Sequence, residues 1–340
     1  MAMLDQPSPS GLAAAGVAPG LRFACVLDGR GGARPLGWDE VRGWSREDGV
    51  IWIHLERDTS QAQAWLGEES GVDPVIVQAL LAEDSRPRVD GSEDSLLVFL
   101  RGVNRSAHED PVDLVPIHIW IHANRVISLR DRDHELSALR DIREALRAGR
   151  GPTGAGDLLV RIAAKVMRDV GPVLDELDEE IDRLDEQCEI DMSRDWRSSL
   201  GELRRRALEL RRYLAPQREA LTLLLTAEVS WLNRRDYGYL REVADRVLRY
   251  VETLDVIRER ATLLNDHLTA QTSERIARTS NRLTALAAVL LPPSLIAGLF
   301  GMNVGGLPGG GSPWGFAAVV LGLLGLMAGE IWLLRRFGWF

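Results

Sequence analysis

The chain has 340 residues, a formal net charge of −9 and two cysteines. That length exceeds one ordinary domain core. The acidic balance argues against the basic footprint of a general nucleic-acid binder, and Cys25 and Cys188, which lack metal-ligand spacing, form no disulfide framework and are read as buried thiols.

Residues 1–20, MAMLDQPSPSGLAAAGVAPG, are rich in Pro, Ala and Gly. They lack the basic start and long apolar core of a secretory signal, so the expectation is a disordered cytoplasmic tail.

Over 21–132 the runs LRFACVLDG, GVIWIHLE, SLLVFLRGV and VPIHIWIHANRVISLRD are rich in Val, Ile, Leu and Trp and bounded by Gly, Asp or Pro, as strands are. Between them DPVIVQALLAED reads as a helix opened by Asp73, with Pro74 at its first position. The expectation is a small cytoplasmic α/β domain. His118 and His122 tempt a zinc reading. On a strand, however, four residues span about 13 Å, too far for both to reach one ion at about 2 Å.

From residue 133 to 235 the apolar residues recur at three-and-four spacing, which predicts helices folding back as a hairpin. DELDEEIDRLDEQCEID, residues 175–191, is dense in carboxylates, and GELRRRALELRRYLAPQR is dense in arginines. Mutual neutralisation or solvation is expected, with enrichment of local cations as the alternative. A third helix, the stalk over 236–282, runs from Leu240 without Gly or Pro until Pro292. At about 1.5 Å per residue it extends on the order of 80 Å. Such a helix needs a partner along its flank, and self-association around an axis supplies one.

Charge is absent from 283–329. Two hydrocarbon spans fit over this run and the few residues after it, at about 283–302 and 314–334, within a membrane unit of 283–340. Arg275, Arg278 and Arg282 precede the first span and Arg335 and Arg336 follow the second, which places both chain ends on the cytoplasmic side of an inner membrane. Two helices cannot enclose a polar path, so a pore needs several copies, each lending its first span. Pro292 and Pro293 remove backbone donors there, next to the Ser294 hydroxyl, and predict a kink. A symmetric assembly would gather one Asn303 per chain into a ring of carbonyl oxygens suited to a hydrated divalent ion. The alternative is a flexible connector in which Asn303 merely ends a helix.

Residues 291–303, LPPSLIAGLFGMN, followed by VGGLPGG, resemble the signature of the CorA superfamily of divalent-metal transporters, in which Gly-Met-Asn ends the pore helix. The layout is similar too: an α+β cytoplasmic domain, a long helical stalk and two C-terminal transmembrane helices. The resemblance implies a CorA-like homopentameric funnel whose first span lines the pore. It implies Gly301, Met302 and Asn303 as the selectivity motif, Ser294 as a pore hydroxyl, and Leu291 and Leu283 as an apolar constriction. Asp266 takes the position of a metal-sensing carboxylate. Its neighbour His267 is read as a zinc-compatible ligand or, alternatively, part of a solvated helix face. The loop after Gly-Met-Asn has no acidic residue and is similar to the zinc-transporting ZntB branch.

The resemblance implies Zn2+ as the cargo, with proton coupling as the zinc branch's expectation and the ion or proton gradient as the energy source, Mg2+, Co2+, Ni2+ and Cd2+ as further candidates and no resident cofactor. A Mg2+/Co2+ channel and a membrane-anchored sensor or scaffold are the alternatives. Glu330, alone inside the second span, is read as an interface anchor, with a proton-coupled role as its alternative. GGGSP and GPTGAGD lack the Gly-Lys-Ser/Thr ending of a P-loop, and no nucleophile–base pair stands out, so no enzyme is expected.

Overall fold

The computed structural model describes residues 19–83, 86–104, 114–132, 134, 136–190, 196–302 and 314–336. The tail expected over 1–20 lies almost wholly outside these residues, and Asn303 and its loop lie wholly outside. Two compact units are present, Met1–Thr262 and Leu263–Phe340.

The first unit is built on a sheet of β1 (Leu21–Leu27), β2 (Ala33–Leu36), β3 (Ile51–Glu56), β4 (Arg88–Ser92), β5 (Ser95–Val103), β6 (Leu114–His122) and β7 (Arg125–Arg130). The strand order is β2-β1-β3-β7-β6-β5-β4. The central pair, β3 and β7, is parallel, with Ile51 opposite Arg125 and Glu56 opposite Arg130. The remaining pairs are antiparallel. Every residue of β3 and β5 is buried, because helices cover both faces of the sheet.

On one face Ile53, Leu55, Phe99, Ile127 and Leu129 pack with Trp38 and Val41 of α1 (Trp38–Gly43), Ala62 of α2 (Ser60–Ala64) and Val77 and Leu80 of α3 (Pro74–Leu81). Asp73 caps α3 as expected, its carboxylate accepting from the Val75 N–H at 2.7 Å. The opposite face meets α4 (Ser137–Arg147), α5 (Ala155–Arg168) and α7 (Arg197–Leu224). At Gly102 of β5 an added Cβ would stand 2.8 Å from Val166 and 2.9 Å from Leu136, so the missing side chain sets how closely α5 approaches.

The sheet has three more strands than the four apolar runs suggested. β2 and β4 are short edge strands whose side chains are mostly exposed. They are held by main-chain pairing and lack a strong apolar pattern. The run over residues 115–131 is two strands, joined by a two-residue turn between paired His122 and Arg125. His118 and His122 lie on β6 as expected. His118 is buried, with Nδ1 2.6 Å from the Leu80 carbonyl, while the His122 ring stacks on Trp120. Cys25 and Cys188 are both buried free thiols.

The acidic helix α6 (Gly171–Ile190) packs on α7, and several of its carboxylates, Glu176, Glu180, Asp182 and Asp185, meet arginines. Arg206 of α7 donates to Glu180 at 2.7 Å. Arg260, near the end of the first unit's share of α8 (Arg234–Phe300), reaches Asp182 at 2.7 Å and Asp185 at 3.4 Å. Arg205 is satisfied within α7 by Glu202 and Glu209. Neutralisation is thus shared between α7 and the stalk helix.

Candidate ion-conducting segment

The second unit holds the remainder of α8 and α9 (Gly315–Arg336). Both helices are long and apolar enough to cross a bilayer, with mean hydropathy 2.0 and 2.1 in their most apolar windows. Within the single chain those windows are only 11% and 0% buried. Leu283, Leu291, Leu295, Phe316, Leu321 and Trp332 all stand exposed. A helix apolar all round and uncovered needs lipid or further copies of the chain as its surroundings.

The exposed and buried positions of α8 separate by face. At about 100° per residue, residues 283, 287, 291, 294 and 298 fall within an arc of about 80°. Leu283, Ala287, Leu291, Ser294 and Gly298 are all exposed there. Ala285 and Val289, buried at 0% and 5%, lie about 180° from the middle of that arc. The three residues expected to line a pore thus share the face that the chain does not cover. Ala287, midway between Leu283 and Leu291 on the wheel, is a small residue on the same arc.

α8 continues without a break through Pro292 and Pro293 to Phe300. The Gly301 N–H still donates to the Ala297 carbonyl at 3.0 Å, so the helical turn extends to the Gly-Met pair. Met302 is exposed, and Asn303 lies outside the described residues. Farther back on α8, Asp266 and His267 are both exposed. They point about 100° apart, Asp266 toward the edge of the arc and His267 toward the side of Ala285. The His267 Nε2 lies 2.7 Å from the Gln271 amide nitrogen. Among the described residues of the single chain no group of three metal-ligating side chains assembles.

On α9, Val319, Leu323, Met327, Glu330 and Leu334 are half-buried at four-and-three spacing, so one stripe packs within the chain. Glu330 belongs to that stripe. Its Oε2 is shielded from solvent and has no hydrogen-bond partner among the described residues. Arg335 and Arg336 close the helix, and the Arg336 guanidinium lies 5.8 Å from the Trp332 ring, as at a membrane interface.

Residues 47–336 match the family described as CorA-like Mg2+ transporter protein. The divalent cation transporter CmaX of Pseudomonas aeruginosa is 37% identical over 324 residues, covering 94% of this chain and 97% of that protein. A zinc transport protein, ZntB of Pectobacterium carotovorum, is 34% identical over 320 residues, covering 94% and 96%. The solved structure of full-length CmaX is similar at TM-score 0.82 and 36% identity, covering 95% of this chain and 99% of that one. The CorA magnesium transporter of Methanocaldococcus jannaschii shares the fold, with TM-score 0.78 at 20% identity over 94% of this chain and 98% of that one. By this match over most of its length, together with two apolar C-terminal helices behind an α/β domain, the chain belongs to the family of CorA-like transporters.

Proposed function

We propose that this protein carries divalent cations, Zn2+ foremost, through a pore made by five copies of the chain in a bacterial inner membrane, with proton coupling. The observation that carries the reading is the shared arc of Leu283, Leu291 and Ser294, exposed and opposite the buried Ala285 and Val289. Five such arcs facing an axis make a narrow passage of apolar rings with one hydroxyl ring, ending at the Gly301, Met302 and Asn303 motif. Neutral amide oxygens at its mouth accept hydrogen bonds from the ion's water shell without trapping the ion. The arginines that flank both spans support an orientation with both termini in the cytoplasm. The ZntB relatives and the loop without carboxylates support Zn2+ as the cargo.

Flux of Zn2+ and of Mg2+ into vesicles holding the purified full chain, with and without an imposed pH gradient, tests this. Zn2+ uptake that follows the gradient is the expected result. The second reading, a Mg2+/Co2+ channel, is favoured by the family's own description, and Mg2+ flux indifferent to pH would select it.

A further inference from the structure

The first unit holds a cleft that transport does not use. It lies between the outer strands β1 and β2 and helix α4, has a volume of about 350 Å3, and is lined by Phe23, Cys25, Pro35, Arg143, Leu146 and Arg147 together with small alanines. Its walls are apolar except for the two arginines. Arg143 is half-buried, its guanidinium stacked 4.5 Å from the Phe23 ring centroid. A guanidinium held over a ring keeps its five N–H donors for acceptors elsewhere, since the ring face takes only its charge. Neither Arg143 nor Arg147 has a carboxylate partner among the described residues. The nearby Arg22 differs, because Glu56 accepts from it at 2.8 Å.

A half-buried cation without a counter-ion costs free energy, and a second cation one helical turn away raises that cost. Burial and the Arg147 charge both push the Arg143 pKa down, a penalty that an incoming anion would relieve. We infer that this cleft is a binding site for a small aromatic monocarboxylate, its carboxylate held by Arg143 and Arg147 and its ring seated against Phe23, Pro35 and Leu146. The volume sits at the lower end of small-ligand pockets, about 300–1,000 Å3, which suits one ring. A dianionic phosphate would lose more hydration against the same apolar walls. Burial raises the Cys25 thiol to about 12, so it stays protonated and serves as wall, not as nucleophile.

The test uses the full chain in lipid nanodiscs, with 4-fluorophenylacetate as probe and 19F line broadening as readout. Saturable binding is expected, weakened about tenfold or more by Arg143→Ala and by Arg147→Ala. Ala33→Phe, which keeps both arginines and fills the cleft, is expected to abolish it. The neutral 4-fluorophenylacetamide and the ringless acetate are both expected to bind more weakly. No saturable binding at millimolar probe, unchanged affinity in the double arginine variant, or an amide that binds as tightly as the acid would each overturn the assignment.

Discussion

Gln217 of α7 reads the main chain of Arg101 on β5 as a neighbouring strand would. Its Oε1 accepts from the Arg101 N–H at 2.6 Å, and its Nε2 donates to the Arg101 carbonyl at 3.1 Å. The pairing of β4 with β5 ends at Arg88 opposite Phe99, so the groups of Arg101 lie just past the last β4 partner. Gln217 is fully buried there. Gln217→Leu would leave a buried donor and a buried acceptor unmet. The expected loss is about 2–4 kcal/mol, read as a lower denaturation midpoint of the soluble unit's signal, with Gln217→Glu also destabilising because its carboxylate cannot donate.

His118 gives the fold a defined acid sensitivity. Burial is the main cause that lowers its pKa from 6.5 to about 4. The folded protein therefore holds it neutral while the unfolded chain takes up a proton below about pH 6.5, and stability falls as pH drops from there to about 4. The full extent is roughly 3 kcal/mol. His54, also fully buried, is shifted down by burial first and by nearby arginines, and acts in the same direction. His118→Phe should be less stable at neutral pH by about 1–2 kcal/mol, having lost the bond to Leu80. It should also lose less stability than the parent between about pH 7 and about pH 5. Denaturation curves at the two pH values check both signs.

Asn303→Ala is expected to lower divalent cation flux by about tenfold or more while leaving assembly size and melting temperature unchanged, since an amide in the proposed pore mouth would act on the hydrated ion and not on the fold. Vesicle flux paired with size-exclusion chromatography reads the two effects separately. Full flux in the variant would remove the amide ring from the pathway.

Glu330 sits on the packed stripe of α9 with one carboxylate oxygen shielded and without a hydrogen-bond partner among the described residues. An ionisable side chain inside a span is a candidate for coupling transport to protons. Glu330→Gln should therefore fold normally and keep cation flux, while the dependence of that flux on an imposed pH gradient weakens by about half or more. An unchanged gradient dependence would return Glu330 to the anchor role.

Much of the membrane unit is legible in the sequence. Length and the absence of charge over 283–329 are properties of the chain itself, and a bilayer responds to them residue by residue. The same holds for the Asp73 cap with Pro74 behind it, a contact between groups two residues apart. Even the shared arc of Leu283, Leu291 and Ser294 follows from helical spacing. Its opposition to a buried face became visible only when Ala285 and Val289 were seen covered.

The tertiary structure alone decided where the edge strands lie, which cations meet the acidic helix and what completes β5. β2 and β4 expose most of their side chains, so they carry no apolar pattern and exist because a neighbouring strand offers unpaired main chain. Gln217 and Arg101 are 116 residues apart, and the partition of α6 between Arg206 and Arg260 depends on where α7 and α8 pass. Local periodicity and capping act over a few residues and are written in the sequence. Pairings across such distances are selected only when the packed core brings the partners together.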